Sequence, residues 1–188
     1  LVFLARDAEE RVLCYSNAGL PKQQQADEIL RFVDFWKQQT GQVPAELVFD
    51  AGLTTHANLQ RLDAQGIHFL TLRRRSRKIL ATIYGQPPSA WRRVTLKSLS
   101  RTYRSPRVLD ERVTLKAFGE KPLRQLAVID LGHEEPTVIL TNDLRSKPAT
   151  LITRYAHRML IENGIAEAIH FFHLDALSSM VGLKVDFD

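Results

Sequence analysis

Two stretches of this sequence hold side chains whose types and spacing suit phosphate or metal chemistry. One is Asp50, which stops the apolar run Glu46-Leu-Val-Phe-Asp50 and is followed by Ala51-Gly52. A carboxylate beyond the carboxyl end of a strand lies where ligands gather in α/β sheets, although for a lone Asp a turn or helix-capping role is the better fit. The other is Tyr155-Ala-His-Arg158-Met-Leu-Ile-Glu162. At about 3.6 residues per turn, Tyr155, Arg158 and Glu162 fall at i, i+3 and i+7 on one helix face. Such a face makes either a structural ion pair with an aromatic anchor, or a surface where Arg158 meets an oxyanion and Glu162 a metal.

Both stretches need elements to position them. Leu1 to Arg6 and Arg11 to Ser16 read as an antiparallel hairpin across Asp7-Ala-Glu-Glu10. Pro21 opens a helix to about Gln39 that Gly41 ends, with Ile29, Phe32, Val33 and Trp36 on its inner face. After the Asp50 strand, Thr54 or Thr55 caps a helix holding Leu59 and Leu62. Gly66 ends that helix, and Ile67 to Leu72 is a buried strand. Then Val94 to Leu99, Val113 to Phe118, Leu126 to Asp130 and Thr137 to Thr141 read as strands of a β-rich insertion. A long helix runs from about Ala149 to His173. The expected division is 1–73, first part of a core; 74–148, basic insertion; and 149–188, last helix and start of a further helical region.

Charge singles out the insertion. Of the 188 residues, 26 are Lys or Arg and 21 Asp or Glu, a net charge of only +5. Yet Arg73 to Arg124 holds 15 basic residues against Asp110, Glu111 and Glu120, a local balance of +12 that leaves −7 elsewhere. A concentrated positive segment beside an acidic body is the footprint of a polyanion, above all nucleic acid. Arg73, Arg74, Arg75, Arg77, Lys78, Arg92 and Arg93 are the candidate phosphate contacts, Arg outnumbering Lys as suits bidentate binding. Tyr84, Trp91 and Tyr103 lie among them for base stacking, Trp91 also reading as a half-buried core residue.

Several classes drop out. Apolar residues make up 44% and charged residues 25%, which argues against wholesale disorder. Apolar runs are too short to cross a bilayer, and no signal peptide opens the chain. The single cysteine, Cys14, excludes a disulfide framework and a Cys-rich zinc site and fits a reducing cytosol. His56, His68 and His133 lack metal-ligand spacing. Asp130 and Asp143 read as turn formers.

Taken together, the strand-end Asp50, the β-rich basic insertion and the Tyr155-Arg158-Glu162 helix resemble the catalytic core of DDE transposases from bacterial insertion sequences, in the group with the pattern Y-x2-R-x3-E-x6-K. The segment Phe49-Asp50-Ala-Gly-Leu-Thr-Thr-His-Ala-Asn through Gly66-Ile-His-Phe-Leu70 resembles the family's region around its second catalytic Asp. The resemblance implies an α/β fold, a ribonuclease H-like mixed sheet with flanking helices, interrupted by the β-rich insertion. It implies metal-dependent cleavage and strand transfer of DNA. Asp50 and Glu162 would be the catalytic metal ligands for two Mg2+ (or Mn2+) ions roughly 3.5–4 Å apart. Tyr155 and Arg158 would contact DNA.

The family's Lys falls on Ile169, with His170 or His173 nearby. The family's first Asp belongs on a strand before the hairpin, so it is expected upstream of Leu1; Asp7 sits in a hairpin turn. The chain opens inside a strand and ends at Asp188 without a helix stop, so it is expected to be a fragment of a transposase, inactive alone. Transposon ends and target DNA are the expected partners, with a homodimer as the complete assembly and the cytoplasmic nucleoid as its place. A non-catalytic DNA-binding remnant and a metal-dependent nuclease of the same fold are the alternatives.

Overall fold

A computed structural model describes residues 2–96, 105–132 and 134–158. Strands β1 (Phe3–Arg6) and β2 (Leu13–Asn17) form the expected antiparallel hairpin, a two-stranded sheet of its own. Asp7 shapes its turn, Oδ1 accepting the N–H groups of Glu9 at 2.8 Å and Glu10 at 2.9 Å. Pro21 precedes a single 3-10 turn at Lys22–Gln24 rather than opening the helix, and α1 spans Glu28–Thr40. Gly41 ends α1 at φ 76°, a left-handed conformation that costs a glycine little. Glu28, in the first turn, is fully buried and tied to the hairpin. Its carboxylate accepts the Tyr15 hydroxyl at 2.6 Å, the Asn17 amide at 2.8 Å and the Arg31 guanidinium at 3.0 Å.

Strand β3 (Glu46–Phe49), helix α2 (His56–Ala64) and strand β4 (His68–Leu72) follow, much as the sequence predicts. Thr55 is the cap of α2, its hydroxyl accepting the Asn58 N–H at 3.2 Å. β3 and β4 run parallel with Phe49 opposite Thr71, so both strands end at the same edge of the sheet.

Beyond β4 the expectations need correcting. Arg77–Tyr84 is a helix, α3, within what reads as β-rich sequence; Ser76 caps it, and Ile79 and Ile83 turn inward. The strand expected over Val94–Leu99 is absent at residues 94–96, the strand there being β5 at Trp91–Arg93, just before it; residues 97–99 lie outside the described part. The strand expected over Val113–Phe118 is a 3-10 turn at Lys116–Phe118, and β6 (Arg107–Val113) precedes it. Adjacent charges at Asp110-Glu111-Arg112 disguise β6 as a turn. The fold neutralises part of that charge, because Arg124 of the next strand grips both Asp110 oxygens at 2.8 Å. β7 (Leu123–Ile129) and β8 (Thr137–Thr141) match the remaining strands, β7 beginning three residues early.

Strands β5 to β8 extend the sheet that carries β3 and β4. Its order is β3-β4-β8-β7-β6-β5, with β8 antiparallel to β4. Asn142, just past β8, joins this extension to the core. Its Oδ1 accepts the Phe69 N–H at 2.9 Å, while Nδ2 donates to Ile67 O at 3.0 Å and Asp63 Oδ1 at 2.9 Å.

Alternation along the strands builds two layers. Phe49, Phe69 and Leu140 face α1 and α2, meeting Ile29, Phe32, Leu59 and Leu62. Leu70, Leu126 and Ile139 face the opposite way onto α4 (Pro148–His157), meeting Leu151, Ile152 and Tyr155. The longer helix expected to His173 lies outside the described residues beyond position 158. A third cluster packs α3 and Trp91 on Leu109, Ala127 and Val138.

Candidate active site at the carboxyl ends of β3 and β4

Helix α4 is aligned on β3 at two points. Leu151, Tyr155 and Arg158 share a face by i, i+4, i+7 spacing, and Leu151 and Tyr155 bury that face against the sheet. Near the start of β3, Arg154 Nη1 reaches Glu46 Oε1 at 3.1 Å and Asp143 Oδ2 at 3.6 Å. At the end of β3, Asp50 receives both the next residues of that helix. Tyr155 donates its hydroxyl to Asp50 Oδ1 at 3.1 Å, and Arg158 Nη1 lies 3.1 Å from Asp50 Oδ2. The guanidinium also stands over the Tyr155 ring, 5.5 Å from its centroid. Residues more than a hundred positions apart thus meet at one carboxylate.

Electrostatics sort these groups. Burial pushes the Tyr155 phenol far above its ordinary range, further raised by the Asp50 charge and only partly countered by Arg158, so it stays a protonated donor. Asp143 is different. Burial works against its charge, but Ser146 through its hydroxyl and N–H, the Arg145 N–H and the field of His68 hold the carboxyl down at about 2. It remains ionised and keeps Arg154 company. The Arg154–Glu46–Asp143 arrangement is invisible to sequence reading: these residues show no periodicity with one another, and only the fold brings them together.

The Asp50 side chain is 46% exposed while Arg158 is 18% exposed, so the carboxylate opens to solvent with the cation behind it. Its oxygens are hard donors of the kind Mg2+ or Mn2+ prefers, and they are accessible; the residue fits a divalent ion. Among the described residues no group of three carboxylate, histidine or cysteine side chains gathers around a common point. Glu162, the other expected ligand, lies outside the described residues, as do Ile169, His170, His173 and Tyr103.

The basic candidates divide. Asp50 follows a strand whose neighbour β4 leads straight into Arg73-Arg74-Arg75, so the basic run starts at the same sheet edge as the carboxylate. Arg73 is partly buried and donates to Gln125 Oε1; burial lowers its pKa. Arg75 pairs with Glu135 at 3.2 Å on the rim of an open hollow of about 550 Å³ that Leu72, Arg73 and Thr137 also line. Arg74, Arg77, Lys78 and Arg92 are exposed and make no ion pair among the described residues. Arg93, also exposed, donates to Ser105 O at 3.5 Å and lies within the field of Asp130. Trp91 is half-buried against the α3 cluster, which supports its reading as a core residue, whereas Tyr84 is 57% exposed at the end of α3.

Asp130 and Asp143 do form turns. Asp130 takes φ 68° and pairs with Arg107 at 2.7 Å, and Asp143 Oδ1 accepts the N–H groups of Arg145 and Ser146, each at 2.9 Å. No helix among the described residues is long and apolar enough to cross a membrane. The family model for the transposase DDE domain matches residues 21–180, most of the chain. No curated protein matches the sequence significantly.

Proposed function

From the premise that this chain belongs to the transposase DDE-domain family, we propose that the Asp50 end of the sheet is its catalytic centre for cutting and joining DNA phosphodiesters. Transposase-type function, DNA as the partner and a general use of divalent metal come with the family. The observation supporting this particular site is the convergence of Tyr155 and Arg158 on Asp50 at the carboxyl ends of two parallel strands.

In this reading Asp50 from the sheet and Glu162 from the sequence after α4 hold two Mg2+ or Mn2+ ions. When bound, these supply Lewis-acid stabilisation of the attacking and leaving oxygens of the phosphodiester. The chain's own residues do the rest. Tyr155 keeps the Asp50 carboxylate aimed by donating to Oδ1. Arg158, always cationic, neutralises phosphate charge beside the cut. Arg74, Arg77, Lys78, Arg92 and Arg93 contact the flanking backbone, joined by Arg73 and Arg75, which rest against Gln125 and Glu135, and Tyr84 stacks more readily than Trp91. The first carboxylate of the family's triad is not supplied by Asp7, whose Oδ1 is engaged in its own turn. The Y-x2-R-x3-E grouping and a homodimer on paired transposon ends belong to the same proposal.

The test is product analysis. The 188-residue chain should bind duplex DNA in a salt-dependent way without nicking it. A transposase carrying this domain should give both cleaved and joined strands, and lose both on Asp50→Asn or Glu162→Gln. Cleaved but never joined strands would mark a nuclease, and binding without any cleavage a non-catalytic remnant. Mg2+-dependent nicking by the 188 residues, abolished by Glu162→Gln, would overturn their expected inactivity.

A further inference from the structure

We propose that Arg158 is a displaceable counter-ion of Asp50. It holds the carboxylate while no divalent ion is there, and leaves it for a DNA phosphate, so that DNA binding and metal binding favour one another. The proposal rests on the reading of Asp50 as a metal ligand.

The two donors on Asp50 are not equivalent. Tyr155 is a neutral group on Oδ1 and tolerates a cation on the same carboxylate. Arg158 carries a permanent positive charge 3.1 Å from Oδ2, an oxygen that would otherwise be open to a divalent ion. A divalent ion and this guanidinium repel one another at that distance, so each weakens the other's hold on Asp50. The Arg158 grip is also the exchangeable kind, because the carboxylate it meets is 46% exposed and a ligand can reach it from solvent. A phosphate offers Arg158 bidentate geometry in return. The guanidinium meets Oδ2 while lying over the Tyr155 ring, 5.5 Å from its centroid, so the ring steadies the cation on a side that loss of the Oδ2 contact leaves in place. Linkage requires the effect to be reciprocal: whatever DNA adds to metal affinity, metal adds to DNA affinity.

The experiment is an Mn2+ titration of the 188-residue chain, read by the spin resonance of free Mn2+, with and without a saturating short duplex of random sequence. Wild type should bind Mn2+ weakly alone and about fivefold or more tightly with DNA. Arg158→Gln should start at the higher affinity and gain little further from DNA. Arg158→Lys serves if the glutamine variant is unfolded; its DNA-free affinity should rise by less but in the same direction. The proposal is overturned if Arg158→Gln leaves Mn2+ affinity unchanged or lowers it, or if DNA raises the affinity equally in both proteins. Asp50→Asn separates the two levels. If it weakens Mn2+ binding while the Arg158 variants do not tighten it, the ligand assignment stands and the counter-ion role falls. If Asp50→Asn changes nothing, or wild type binds no Mn2+ even with DNA, both fail.

Discussion

Glu28 and Asp50 are each held by a tyrosine hydroxyl and an arginine, yet only Asp50 is open to solvent. Glu28 is wholly enclosed, and Tyr15, Asn17 and Arg31 occupy it from the hairpin and from its own helix. Burial alone would raise its carboxyl, but those hydrogen bonds more than offset the cost and hold it below the ordinary range. The Tyr15 phenol is pushed up to about 12 by burial and by the same carboxylate, so the bond stays made across any physiological pH. Asp50 has the same kinds of donor but faces solvent. Hydrogen bonds to an enclosed carboxylate are obligatory; around an open one they can be exchanged for a ligand. Solvent access, more than donor identity, separates a joint from a site.

The largest effect that separates the two is expected at Asp50. Asp50→Asn should cut the Mn2+ affinity of the chain, and strand cleavage by a transposase carrying this domain, about a hundredfold or more, since losing only the partners that orient a ligand already costs about 10–100-fold. Its denaturation midpoint should hardly move, and a large drop in stability would erase the distinction. Glu28→Ala should do the reverse, costing about 3 kcal/mol in urea unfolding while leaving the Mn2+ affinity of the folded fraction intact.

Acid titration sharpens the contrast. Asp143, held at about 2 against an ordinary value of 3.8, contributes stability above pH 4 that disappears as pH falls toward 2. Asp143→Asn should remove about 1–2 kcal/mol at pH 7 and flatten that acid limb. Glu28, also depressed, follows the same sign. The smallest difference lies in the paired tyrosines: Tyr15→Phe should cost about 1.5 kcal/mol and Tyr155→Phe about 0.5 kcal/mol. Equal costs would mean that Asp50 is as structural as Glu28.

The sequence makes the chemistry more legible than the scaffold around it. Asp50 and the Tyr155-Arg158 spacing stand out because strand ends and helix faces have fixed periods, and the fold brings them together. Gly41, Gly66 and Thr55 announce their helix ends by local chemistry. Inside the insertion, local signals mislead. α3 is only Arg77–Tyr84, too short to declare a period against its basic charge. The alternation Val113-Thr-Leu-Lys-Ala-Phe118 imitates a strand but ends in a 3-10 turn, with Leu115 and Phe118 both buried. β7 buries Arg124 and Gln125 among apolar neighbours, so its polarity pattern carries no period at all. The Glu28 joint joins a helix start to a hairpin, and no spacing rule relates Tyr15 and Asn17 to it.

Asn142 carries a consequence of its own. In a sheet, slipping one strand by a single residue turns its whole inward set to the outside. With one amide, Asn142 reads the backbone on both sides of His68, so the slip is caught where β8 joins β4. β8 therefore stays in phase with β4, and so does α4, which follows β8 and carries Tyr155 and Arg158 to Asp50 at every folding event rather than one pleat away from it.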